Sequence, residues 1–155
     1  MEIINAQESH IPEIIDLWLE FSEFHEALGH PWYPLKDGAS NGFETYFRKE
    51  MIAEKSRVMV ALDKDCVVGY IIAMINNMTE VWVRERYGTI DQLSITASYR
   101  HQGIGSKMLK EVLNWFKSEN LDLIEISIAA KNSIGYSFWK KHGFKDSSHT
   151  LYLKR

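Results

Sequence analysis

From Leu93 the chain reads Leu93-Ser94-Ile95-Thr96-Ala97-Ser98-Tyr99-Arg100-His101-Gln102-Gly103-Ile104-Gly105-Ser106. An apolar strand end is followed by a short polar loop, and two glycines then open an amphipathic segment. This stretch restricts the fold more than any other. After Gly103, the residues Ile104, Met108, Leu109, Val112, Leu113 and Phe116 recur at helical spacing, which predicts a helix over Gly103 to Glu119. A helix start leaves backbone N–H groups unpaired and carries the positive end of the macrodipole, so it favours anions, phosphate above all. Glycines there let a ligand come close to the backbone.

Two phosphate-loop patterns fail on their own spacing. A dinucleotide-binding loop needs a third glycine where this chain has Met108, and a nucleotide-triphosphate loop needs Gly-Lys-Ser/Thr where the order is Gly105-Ser106-Lys107. The rest of the chain supplies the partners for a mixed sheet. Glu2 to Asn5 is a short strand. Ser9 to about Glu26 is a helix, with Ser9 as its cap and Pro12 in its first turn. Ala27 to Ala39 reads as a loop, and it carries Trp32 and Tyr33. A second helix begins near Asn41, with Glu44 completing a capping box and Phe43, Tyr46, Phe47 and Met51 on its buried face.

Arg57 to Leu62 and Cys66 to Ile75 form a hairpin around Asp63-Lys64-Asp65, and Tyr87 to Ile95 is a further strand. Leu121 to Ala129 is a strand, Asn132 to Lys141 a short helix ended by Gly143, and His149 to Leu153 a last strand. The order β-α-α-β-β-β-α-β-α-β predicts an α/β fold with helices on both faces of a mixed sheet. At 155 residues the chain is read as a single domain spanning 1–155, and its 19 aromatic residues provide for a substantial core. A lone cysteine, Cys66, excludes an internal disulfide framework and is read as a buried strand residue in a reducing, cytoplasmic setting. The longest apolar stretch, Val67 to Ile75, is far short of the roughly 20 residues a membrane span needs. No membrane partner is expected, and the histidines offer no metal-ligand spacing.

Net charge is −3, which argues against a general nucleic-acid binder. Its distribution says more. Residues 1–50 carry 10 acids and 3 bases, whereas residues 101–155 carry 5 acids and 9 bases. Such asymmetry suits two ligands of opposite sign, one cationic and one anionic.

Arg100, Gly103 and Gly105 match the Arg/Gln-x-x-Gly-x-Gly/Ala loop of the GCN5-related N-acetyltransferase (GNAT) superfamily. Asn132, Gly135, Phe138, Trp139, Gly143 and Phe144 then resemble, at the right spacing, that superfamily's last helix, Asn-x-x-Ala-x-x-Leu-Tyr-x-x-x-Gly-Phe. The resemblance covers essentially the whole chain. It implies the GNAT acyl-CoA N-acyltransferase fold, with a central, mostly antiparallel sheet, and acetyl-CoA as acetyl donor to an amine. By position, the main chain of Leu93, Ser94 and Ile95 would pair with the pantetheine arm. Arg100, His101, Gln102, Gly103, Ile104, Gly105 and Ser106 would form the pyrophosphate loop. Asn132 would bond to the pantetheine, Trp139 would pack on it, and Lys107, Lys131, Lys140 or Lys141 would meet the 3′-phosphate.

The same resemblance implies direct attack of a primary amine on the thioester. An amine of pKa near 10 needs a base at neutral pH. Asp91 is the first choice: it shares strand parity with Leu93 and Ile95 and lies where many relatives place an acid facing the acceptor. Glu80 is the fallback, and Tyr87 on the Asp91 side would line the pocket. Trp139 replaces the tyrosine that many relatives have as general acid, and indole cannot donate a proton usefully. Tyr136, one turn earlier, or water would protonate the leaving thiolate. Trp32 and Tyr33, beside Glu20, Glu23 and Glu26, make an expected seat for an ammonium group. The acceptor is read as a small-molecule or peptide amine. Homodimers, as in many relatives, are a further implication, and a CoA-holding module without turnover is the alternative reading.

Overall fold

The structure is a computed structural model and describes residues 1–155. Five strands form one sheet in the order β1-β2-β3-β4-β5: β1 (Glu2–Asn5), β2 (Ser56–Asp63), β3 (Cys66–Asn77), β4 (Arg86–Ile95) and β5 (Ile124–Glu125). Neighbours are antiparallel except β4 and β5, which run parallel. The β2–β3 hairpin turns on Lys64 and Asp65, both with positive φ, while Asp63 pairs with Cys66. Two left-handed central residues are what a two-residue turn needs to follow the strand twist.

Helices α1 (Ile11–Ala27) and α2 (Ala39–Ile52) cover one face of the sheet. Trp18 of α1 stacks on Phe43 of α2 with ring centroids 4.5 Å apart, and Phe47, Val60, Tyr70 and Ile72 complete that core. Helix α3 (Ile104–Ser118) and helix α4 (Ser133–Lys141) cover the other face, where Met108, Val112 and Phe116 meet Ile71, Ala73 and Ile90. Strand β3 is buried on both sides, as a central strand must be, and so reads as a near-continuous apolar run. The α3 stripe is as the spacing predicts except that Trp115 is buried and Leu113 only half-buried.

Five local expectations are corrected. Helix α2 opens at Ala39 behind a left-handed Gly38 with no side-chain cap, and Glu44 pairs with Arg48 instead of closing a box on Asn41. The Ser9 cap is replaced by a short 3₁₀ turn (Glu8–His10) leading into α1. The strand expected over Leu121 to Ala129 pairs only at Ile124 and Glu125, because β4 turns away beyond that point. The strand expected over His149 to Leu153 is absent from the sheet. Leu151, Tyr152 and Leu153 are exposed, and no residue beyond Phe144 donates a backbone hydrogen bond. Alternation alone cannot create a strand without an edge to pair with. Cys66, at the hairpin tip, is also exposed instead of buried. No helix is long and apolar enough to cross a membrane.

Candidate active site

The cleft exists because β4 and β5 part. They pair at Gly88 with Ile124 and at Thr89 with Glu125, and then diverge, so that Asp91–Ile95 and Ile126–Ala129 become facing walls. The cleft holds about 1110 Å³ and runs from the α3 N-terminus to the end of α1.

At the α3 end, His101 (φ 61°) and Gly103 (φ 80°) are left-handed, and this alternation turns successive N–H groups toward one side. None of the backbone N–H groups from His101 to Ser106 donates to a protein acceptor; the first to do so is Lys107, to Gly103 O at 3.1 Å. A run of unpaired donors in a concave loop at a positive helix end is an anion cradle. No atom lies within 4 Å of where a Cβ on Gly103 would project, so the approach is open. Behind the loop, Gly105 packs against Phe138 of α4, where a Cβ would come within 3.3 Å of the ring.

The loop is held from outside the cleft. Arg100 donates through Nε to Ile95 O at 2.9 Å and through Nη2 to Glu20 Oε1 at 3.0 Å. Glu20 also accepts from Thr96 Oγ1 and from the Ala97 N–H, both at 2.8 Å. The guanidinium of Arg100 is therefore spent on positioning the loop. So is Glu20, which is unavailable for the cationic seat the sequence suggests, and Glu23 and Glu26 do not line the cleft. On the other side, His142 Nδ1 donates to Phe138 O at 2.8 Å, which leaves Nε2 to accept from the Ser106 hydroxyl at 2.9 Å. Asn132 caps α4 by accepting from Gly135 N–H at 2.8 Å.

At the opposite end lies Asp91. Ile72 pairs with Gln92 and Ala73 with Ile90, so Asp91 is the extra residue of a β-bulge. The bulge reverses side-chain parity: Ile90, Leu93 and Ile95 pack toward α3, while Gln92 accepts from the Tyr70 hydroxyl at 2.7 Å on the other face. Asp91 thus faces α2, not the Leu93 and Ile95 side predicted from simple alternation. Tyr46 of α2 donates to Asp91 Oδ2 at 2.7 Å. Surrounding protein raises the Asp91 carboxyl above its ordinary range although it keeps an opening to the cleft; the Tyr46 bond opposes this, and the nearby Glu50 carboxylate reinforces it. Tyr46 and Tyr33 are both raised, chiefly by burial; next comes the hydrogen bond to Asp91 for Tyr46 and the Asp91 charge for Tyr33.

The structure brings Asp91, Leu93, Ile95, Arg100, His101, Gly103, Ile104, Gly105, Ser106, Asn132, Trp139, Trp32 and Tyr33 to this one cleft. Ser94 is buried in the sheet, and the Gln102 side chain donates to Ser98 O away from the cleft. Lys141 borders the cleft, whereas Lys140 is engaged with Asp146. Trp139 is buried between Phe138 and Phe144. Three expected residues lie elsewhere. Glu80 lines a separate surface hollow after β3, and Tyr87 precedes the divergence and does not reach the cleft. Tyr136 points its hydroxyl at Asp146, 3.2 Å away on the outer face of α4.

Sequence reasoning missed Tyr46 as the partner of Asp91 and missed the packing of His25 and His30 around Tyr33. A polar pair at helical spacing on an otherwise apolar face, Tyr46 and Glu50, was the signal available for the first.

Comparison with known proteins agrees with this fold. The acetyltransferase (GNAT) family model matches residues 13–144, and the chain belongs to that family. It is an N-acetyltransferase, and acetyl-CoA is its acetyl donor. An uncharacterized N-acetyltransferase from Archaeoglobus fulgidus is 25% identical over 132 residues, 85% of this chain and 84% of that protein. Among solved structures, a mutant protein from Bacillus halodurans superimposes with a TM-score of 0.89 at 20% identity, covering 100% of this chain and 99% of that one. An aminoglycoside 6′-N-acetyltransferase from Acinetobacter haemolyticus reaches 0.78 at 13% identity, covering 100% and 98%.

Proposed function

We propose that the chain acetylates a primary amine bound on the Asp91 side of the cleft, by direct attack of the nitrogen on the thioester of acetyl-CoA. The observation that carries this reading is Asp91 itself: a carboxylate at a bulge, where β4 leaves β5, facing the opposite end of the cleft from the anion cradle. The unpaired N–H groups of His101 to Ser106 fit a diphosphate, and the main chain of Leu93 and Ile95 on the open edge of β4 fits the pantetheine amides. Acetyl-CoA supplies an activated acyl group, so holding both substrates in register provides much of the rate. A β4 N–H directed at the acetyl oxygen stabilises the charge that develops there.

Asp91 takes the proton from the ammonium form of the acceptor, and its raised carboxyl makes it a better base for that step. With Tyr136 bonded to Asp146 outside the cleft, water returns a proton to the leaving thiolate. Thiolate of pKa near 8.5, by analogy with cysteine, leaves without obligatory help. The acceptor is a small molecule or a peptide amine, the 155 residues act as one domain, and the exposed Cys66 thiol suits a reducing cytoplasmic setting. Thiol release from acetyl-CoA across a panel of amines tests the reading. Release together with an N-acetylated product is expected; tight CoA binding without release from any amine would replace it with a CoA-holding module.

A further inference from the structure

We infer that the acceptor is a monoamine joined to a flat apolar body, such as an arylalkylamine, and not a polycation. This rests on the transferase reading above and narrows it. The acceptor end of the cleft has one carboxylate. Asp91 is the sole acidic side chain lining the whole cleft, because Glu20 is bound to the loop and the other acids of α1 lie outside. A polyamine or aminoglycoside brings several ammonium groups, and each beyond the first would enter a partly desolvated cleft without a counter-charge.

The wall lining the cleft with Asp91 is aromatic. Tyr33 stacks on the ring of His25 at 4.6 Å, with Phe21 and His30 edge-on to it at 6.0 and 4.9 Å. His25 donates through Nδ1 to Phe21 O at 2.8 Å, and burial lowers its pKa, so the ring is neutral at physiological pH with Nε2 as an acceptor. Phe21, His25, His30 and Tyr33 line the same cleft as Asp91, so the aromatic wall and the carboxylate face one cavity. At the rim, Trp32 is 74% exposed and has no aromatic partner. One carboxylate for the ammonium, aromatic faces around it and an unpartnered indole beyond it match a single cationic nitrogen on a planar hydrocarbon.

Initial rates of thiol release at saturating acetyl-CoA decide the matter, with 2-phenylethylamine, spermidine, an aminoglycoside and a lysine-bearing peptide as acceptors. We expect kcat/KM for the arylalkylamine to exceed that of the other three by roughly tenfold or more, the scale of one desolvated charge contact. Trp32→Ala should raise the KM for 2-phenylethylamine by about three- to thirtyfold, leave the KM for acetyl-CoA unchanged, and be largely rescued by Trp32→Phe. Faster turnover of spermidine, the aminoglycoside or the peptide overturns the acceptor class while leaving the transferase reading intact, as does an unmoved amine KM in Trp32→Ala. No release with any of the four, in protein that still binds CoA by calorimetry, overturns both.

Discussion

Asp91 is held between two opposing influences, burial with the Glu50 carboxylate on one side and the Tyr46 hydroxyl on the other. Its titration should therefore be visible in kinetics. The acid limb of kcat/KM for the amine is expected above the ordinary carboxylate pKa of 3.8. Asp91→Asn should remove that limb and lower kcat by about a hundredfold, as loss of a general base does, while acetyl-CoA saturation is retained. Tyr46→Phe deletes the one influence that lowers the carboxyl, so it should move the limb to higher pH. A pH–rate profile identical in all three proteins would take Asp91 out of the base role. At the other end, Gly103 has φ 80° and open space beyond it. Gly103→Val should raise the KM for acetyl-CoA, because a branched residue resists left-handed backbone and fills the approach. Gly103→Asn, which tolerates that backbone, separates the two causes.

Elements rather than single groups place the cradle. The loop between β4 and α3 is short, polar and half-exposed; its own turn and side-chain bonds shape it, and α1 braces it from outside through Glu20. The ion pair with Arg100 is itself partly exposed and contributes little. The bonds from the Ala97 N–H and the Thr96 hydroxyl matter more, because losing their acceptor leaves backbone and side-chain donors unsatisfied. Glu20→Ala should cost about 1–3 kcal/mol in chemical denaturation. It should also weaken CoA binding by calorimetry, although Glu20 touches no part of the cradle. Equal affinity in the variant would show that the loop keeps its form unaided. The same logic gives α4 its place: the His142–Ser106 bond and the Phe138–Gly105 contact tie its end to the start of α3.

For the whole molecule, a raised Asp91 carboxyl has a cost in stability. Between its unfolded pKa and its higher folded value, the native state holds a proton that the unfolded chain has released. Stability is thus undiminished at pH below the unfolded value, falls as pH rises through that window, and stays reduced above it. Asp91→Asn, whose amide oxygen still accepts from Tyr46, should raise Tm at pH 7 and have no such effect near pH 3; a Tm gain that is the same at both would assign it to packing. Apart from the two helix N-caps and the strands expected over Leu121 to Ala129 and His149 to Leu153, the local elements, the two-faced sheet, the glycine pair at the α3 start and the family resemblance were legible in the sequence, because periodicity and glycine placement act over a few residues. Three features were not. The bulge that turns Asp91 toward α2 is a property of the register between β3 and β4. Glu20 meets Thr96 across 76 positions. The run from His149 to Leu153 alternates like a strand but pairs with none of the five. Local chain chemistry determined most of the helices and strands and where unpaired N–H groups collect at the start of α3. Which carboxylate opens on the cleft, and which is consumed in holding the loop, was decided only when distant segments packed, since hydrogen-bond partners far apart in sequence are chosen by the tertiary fold.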